Sequence, residues 1–173
     1  MKKFLPILLL AFVSLIIFSC DDDNNNTDYD TYSQSKDVTG TFNSGNSYAF
    51  TQNISIEGTD VVLVYRYLGD SWQLIPKMMY IPDATGMPTG REFQYNFIFD
   101  SQKVQISVDD ENFNLSTGLT SGEANQYLNN QRFRIVLVPA SAGKNASVNY
   151  EDYNSVIKYY NIDESKIKTY KAN

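Results

Sequence analysis

The sequence predicts an all-β fold: an antiparallel β-sandwich of about seven strands with a C-terminal helix. Three observations predict it. From about residue 41 onward, apolar and polar residues alternate at period two. No strand-then-helix rhythm runs along the chain, which argues against an α/β fold. Only the end, with Tyr150, Tyr153, Ile157 and Tyr160, spaces its apolar residues by three and four.

Taken in order, Tyr48 to Ile56 is the first strand by alternation. Asp60 to Leu68 follows, where Val61, Val62, Leu63 and Val64 leave neither face polar, as expected of a central strand covered on both sides. Gly69-Asp70 supplies a two-residue turn, because glycine accepts the positive φ such a turn needs. That turn sets a register in which Leu68 faces Ser71, Tyr67 faces Trp72 and Tyr65 faces Leu74. The second arm is expected to continue past Pro76 through Met78 to Ile81 as an edge or bulged strand.

Two prolines and two glycines between Pro82 and Gly90 mark a surface loop. Glu92 to Phe99 then puts Phe93, Tyr95, Phe97 and Phe99 on one face, and Lys103 to Val108 puts Val104, Ile106 and Val108 inward. The short Asp100-Ser101-Gln102 link joins the two as a hairpin. Gly118 to Asn130 is polar and reads as a loop with a short helical turn from Ser121 to Leu128; Arg132 to Val138 is the last strand. In the closing helix Glu151 and Asp152 suit the first turn, and Asp163 caps a final short turn carrying Ile167 and Tyr170.

The first residues are of another kind. Lys2 and Lys3 form a basic tip, Phe4 to Phe18 an apolar core of about 15 residues, and Ser19/Cys20 a cleavage site. The core is shorter than the roughly 20 residues a membrane-spanning helix needs, so a retained anchor is the less favoured alternative. With Ile17 three before the cysteine and Ser19 just before it, this segment resembles a bacterial lipoprotein signal. The resemblance implies that residues 1–19 are removed and that Cys20, the single cysteine, becomes the lipidated first residue. Two or more acyl chains make such an anchor stable, so the membrane is a partner through the lipid on Cys20 alone.

Residues 20–40 are Asp, Asn, Thr, Ser, Gln and Lys with almost no aliphatic side chain, the composition of a disordered acidic tether. Residues 41–173 make one domain with room for a core. Asp21, Asp22 and Asp23 directly after the cysteine also resemble the export signal of Bacteroidetes lipoproteins. This implies an outer-membrane location facing the cell exterior, with the periplasmic face as the alternative and simple solvation of the tether as the blander role.

Loss of Lys2 and Lys3 takes the formal charge from −6 to about −8. Phosphate backbones repel such a chain, so nucleic acid is excluded as a partner. There is no histidine, and the cysteine is committed to lipid, which excludes Ser-His-Asp and Cys-His catalysis and the usual zinc sites. No phosphate loop or dinucleotide fingerprint follows a strand, and no cofactor is expected.

Carboxylates, hydroxyls and aromatics remain. Asp109, Asp110 and Glu111, with Asn112 and Asn114, are a weak calcium candidate whose spacing departs from the EF-hand loop. A pair of acids hydrolysing a glycan is the enzymatic alternative, though the Asp109 trio reads as a solvated loop at a strand end. Tyr65, Tyr67, Trp72 and Tyr80 are a candidate sugar-stacking platform; the face that Tyr67 and Trp72 share with Val61 and Leu63 favours packing instead. Asn-x-Ser/Thr triplets at Asn53, Asn114 and Asn145 carry little weight in a bacterial lipoprotein.

From Asp60 onward the chain resembles small flavobacterial-type lipoproteins without an assigned activity. The resemblance lies in Val61-Val62-Leu63-Val64-Tyr65-Arg66 with Trp72, in Phe113-Asn114-Leu115-Ser116, in Phe133 to Ala140, and in Asp152-Tyr153-Asn154-Ser155-Val156. It implies a surface lipoprotein and transfers no site residue. The expectation is therefore an anchored module that binds or scaffolds a protein or a glycan, without catalysis.

Overall fold

The computed structural model describes residues 34–56, 60–110, 112–140 and 148–172. The signal segment, Cys20 and the tether as far as residue 33 lie outside them. The described residues form a β-sandwich. One sheet holds β1 (Gln34–Gly40), β3 (Val61–Tyr67), β4 (Trp72–Ile75), β8 (Gln131–Val138) and β9 (Lys168–Lys171), in the order β4-β3-β8-β1-β9. The other holds β2 (Ala49–Asn53), β5 (Lys77–Tyr80), β6 (Glu92–Phe99) and β7 (Lys103–Asp110), in the order β2-β7-β6-β5. Neighbours are antiparallel except β1 and β9, which run parallel.

The β3–β4 hairpin has the register its turn dictates. Tyr67 faces Trp72 and Tyr65 faces Leu74, the Leu68 N–H reaches the Ser71 carbonyl at 2.9 Å, and Gly69 takes φ +100°. The β6–β7 hairpin also pairs as the alternation predicts. Val104 and Ile106 are fully buried, and the Asp100 carboxylate accepts the Gln102 and Lys103 N–H groups that close the turn.

Three expectations need correction. First, β3 is buried on both faces, but β8 is the central strand: Phe133, Ile135 and Leu137 fill the space between the sheets, while Val136 and Val138 face the C-terminal helix. Second, the arm beyond Pro76 is an edge strand as expected, but it does not extend β4; it changes sheets. Proline offers no N–H to a ladder, and after it Lys77–Tyr80 pairs with β6 as an edge strand. Third, residues 34–40, assigned by composition to the tether, form β1. Its ladder to β8 is backbone pairing, which polar side chains satisfy as well as aliphatic ones; Val38 alone enters the core, fully buried. β9, exposed at all four residues, is likewise invisible to an apolar pattern, and these two strands are what raise the count from seven to nine.

The core between the sheets is aromatic. Phe42 lies 4.9 Å from Phe50, 6.0 Å from Phe133 and 6.1 Å from Tyr95, ring centre to ring centre. Two helices flank the sheets. In α1 (Ser121–Tyr127) the Thr120 hydroxyl accepts from the Glu123 N–H while the Glu123 carboxylate accepts from the Thr120 N–H, a reciprocal cap. α2 (Tyr153–Tyr159) starts from an Asp152 cap, so Glu151 precedes it. Tyr153 and Val156 lay this helix on Leu63, Tyr65, Val136 and Val138, the outer face of the five-stranded sheet.

Candidate functional site

Among the described residues three arginines are buried: Arg66, Arg91 and Arg134, each 5 % exposed or less. A buried guanidinium costs several kcal/mol in lost hydration unless charge and hydrogen bonds offset it. Two of the three follow that rule. Arg91 holds both Glu123 carboxylate oxygens at 2.8 Å and the carbonyls of Pro82 and Gly118 at 2.7 Å, tying α1 to the start of β6. The Arg91 hydrogen bond keeps the Glu123 carboxyl at about 2, well below its ordinary value. Arg134 donates from Nε to Asp37 at 2.6 Å, and from Nη1 to Glu164 and the Tyr153 hydroxyl. It joins β8, β1, α2 and the turn at Glu164–Lys166.

Arg66 departs from the rule. It sits on the inner face of β3, in step with Val62 and Val64, where the two sheets open towards α1. Its Nε and Nη2 donate to Gln131 Oε1 at 3.1 and 2.8 Å, and Nη2 also reaches the Gln126 carbonyl at 3.3 Å. The guanidinium lies 4.5 Å from the centre of the Tyr95 ring. All of these partners are neutral, and no carboxylate among the described residues pairs with it. Burial accordingly pushes Arg66 below its ordinary value.

Arg66 lines a shallow surface pocket of about 460 Å³ with Tyr67, Asn125, Asn129, Gln131 and Arg132 and with the apolar Leu68, Met79 and Tyr127. Its Nη1 makes no hydrogen bond among the described residues and is not sealed from solvent. Arg132 stands at the rim with its side chain 40 % exposed, paired with the Asp37 carboxylate that it shares with Arg134. The pocket thus offers one uncompensated cation at its floor, a second cation at its rim and side-chain amides around it.

The structure divides the four aromatics of the predicted platform. Tyr65, Tyr67 and Trp72 come together on the outer face of the five-stranded sheet; Tyr80 lies on the edge strand of the other sheet, 74 % exposed. Tyr65 is fully buried, and its hydroxyl donates to the Tyr150 carbonyl at 2.7 Å. Trp72 is half-buried, with Tyr67, Tyr153 and the guanidinium groups of Arg132 and Arg134 all within 5.5 Å of its ring centre. These protein groups take up ring surface that a sugar would stack on. Tyr67, packed on Trp72 and Arg132, also borders the Arg66 pocket.

The acidic stretch lies elsewhere. β7 runs through Asp109 and Asp110 rather than ending before them, so the predicted strand-end loop starts two residues later; Glu111 lies outside the described residues. Asp109 accepts from Asn96 at 3.2 Å. The Asn112 and Asn114 side-chain oxygens accept backbone N–H groups of Glu92 and Ser116. No group of three or more histidine, cysteine, aspartate or glutamate side chains suited to a metal occurs among the described residues. Of the three glycosylation-type triplets, Asn53 and Asn114 are exposed and Asn145 lies outside the described residues.

Parity of the β3 alternation was the readable sign of the pocket. Period two puts Arg66 on the same face as Val62 and Val64, a charge inside an apolar run. Compared with protein-family models, with curated proteins and with solved structures, the chain matches none. No helix among the described residues is long and apolar enough to cross a membrane.

Proposed function

We propose that this protein is a lipid-anchored binding module, held by acyl chains on Cys20 at the outer membrane and facing the cell exterior, that engages a partner without catalysing a reaction. The reading joins two supports. The Ile17-Phe18-Ser19-Cys20 segment and the acids after it resemble a lipoprotein signal followed by a surface-export signal. In the folded part, the observation that carries the reading is Arg66: a buried, uncompensated cation at the floor of an amide-lined pocket is a site prepared for a ligand and costly without one.

The glycan-hydrolase alternative asks for two carboxyl groups about 5 to 9.5 Å apart across a cleft, one of them protonated at neutral pH. Among the described residues, the buried Asp37 and the half-buried Glu123 do other work. Asp37 is shared between Arg132 and Arg134, and Glu123 is bound to Arg91 and held ionised.

The anchor is tested by expressing the full chain with labelled palmitate and shaving intact cells with protease. The wild type should be labelled and cleaved from outside, and Cys20→Ala should be unlabelled. An acylated Cys20→Ala protein, or a wild type cut only after lysis, would overturn the anchor or its outward orientation respectively. Release of reducing ends from oligosaccharides by the purified protein would overturn the absence of catalysis.

A further inference from the structure

We infer that the Arg66 pocket binds an anionic saccharide: a sugar carrying a carboxylate or sulfate group, received by Arg66 and surrounded by the pocket's amides. The inference rests on the binding-module reading and gives it a ligand class. Three features of the pocket select this chemistry.

The first is charge. Each of the other buried guanidinium groups already has a carboxylate within hydrogen-bond distance; Arg66 has only the amide of Gln131 and a backbone carbonyl, and its Nη1 is left over. A ligand oxyanion would supply the missing charge, and charge-assisted hydrogen bonds from arginine to such groups are short and strong. Arg132 at the rim adds positive potential while its own salt bridge to Asp37 holds it in place.

The second is the lining. Asn125 and Asn129 stand around the pocket with Gln131, and the Asn129 Nδ2 donates to Asn125 Oδ1 at 2.7 Å. Amides offer donors and acceptors together, which is what a ring of hydroxyl groups requires. Gln131 is committed to Arg66 and to the carbonyls of Gln126 and Asn129, so the amides open to a ligand are those of Asn125 and Asn129. The third is Tyr67, a half-buried ring that borders the pocket; Trp72 and Arg132 pack against it, and the part they leave uncovered offers an apolar contact to a sugar ring.

The geometry also furnishes a reporter. Trp72, the single tryptophan, has the Arg132 guanidinium 5.4 Å from its ring centre, so a ligand that shifts Arg132 perturbs its fluorescence.

The test is a titration of the full-length protein in detergent with oligogalacturonate, its methyl ester and a sulfated oligosaccharide, followed by calorimetry and Trp72 fluorescence. The acid or the sulfate should bind about tenfold or more tightly than the neutral ester, and the two anionic arms identify which group is read. Arg66→Met should remove that preference with its circular dichroism unchanged. Should Arg66→Met not fold, Arg132→Gln, at the half-exposed rim, should weaken the charged ligand and leave the ester unaffected. Equal affinity for acid, sulfate and ester would overturn the anionic class while leaving a glycan-binding module. No uptake of any of the three by folded wild type would overturn the saccharide inference altogether; capture of some other partner at the cell surface would then leave the broader reading standing.

Discussion

Arg66 Nη2 donates to Gln131 Oε1 at 2.8 Å, a neutral amide standing where the other two buried arginines have a carboxylate. Replacing an uncompensated buried charge by an apolar side chain of similar length removes a desolvation cost and leaves no partner charge behind. Because the buried Gln131 Oε1 then loses both its donors, Arg66→Met is expected to fold with stability within about 2 kcal/mol of the wild type, as read by urea unfolding. A loss of several kcal/mol would show that the arginine is held for structure.

Asp37 presents the opposite case. It is buried, 1 % exposed, and bonded to both Arg132 and Arg134. Asp37→Asn leaves the Arg134 guanidinium with the more exposed Glu164 and should destabilise the fold by roughly 3 kcal/mol. Combining it with Arg134→Met should recover a large part of that loss, which a double-mutant cycle in urea would measure.

Glu123 makes stability depend on pH in a defined window. Its carboxyl is held at about 2 by the Arg91 hydrogen bond, below its unfolded value. A depressed folded value means that its contribution is present above about pH 4 and is lost as pH falls towards 2. Glu123→Gln should thus be less stable than wild type at pH 7, and the gap should narrow between pH 4 and 2. A gap that stays constant through that range would contradict the assignment.

Gly40 marks where the chain leaves β1 beneath the core. A Cβ built there would lie 2.4 Å from the Phe50 ring, a contact that a packed core relieves only by moving the ring. Gly40→Ala should cost about 1 to 3 kcal/mol and shift the Phe50 ring resonances, whereas Gly122→Ala, with no side-chain or backbone atom nearer than 3.9 Å, should not.

How much of this was legible follows from what each element depends on. The Tyr67–Trp72 pairing was readable because Gly69-Asp70 sets a two-residue turn and the turn sets the register. The inward faces of β6 and β7 were readable because alternating Phe93, Tyr95, Val104 and Ile106 must share one side. β1 and β9 were not, since their pairing is carried by backbone groups that every residue has and their side chains are polar. The exchange of sheets at Pro76 was half legible: proline signals a break, but which sheet receives Lys77–Tyr80 depends on β6, far along the chain. The arginines were present as letters and absent as a site, because charge pairing joins Asp37 to Arg134 and Arg91 to Glu123 across sequence separations that no local pattern spans. Aromatic content raised Tyr65 and Trp72 as a candidate platform, the face shared with Val61 and Leu63 already favoured packing, and register and α2 turn them to packing.

The most direct measurement of the central claim is nitrogen-15 NMR of the arginine side chains in the full-length protein during titration with an anionic oligosaccharide. The Arg66 Nε–H resonance is expected to shift and saturate with ligand, while those of Arg91 and Arg134, already bound to Glu123 and Asp37, stay in place. An Arg66 resonance that does not move while the ligand binds, or a shift shared equally by all three arginines, would contradict it.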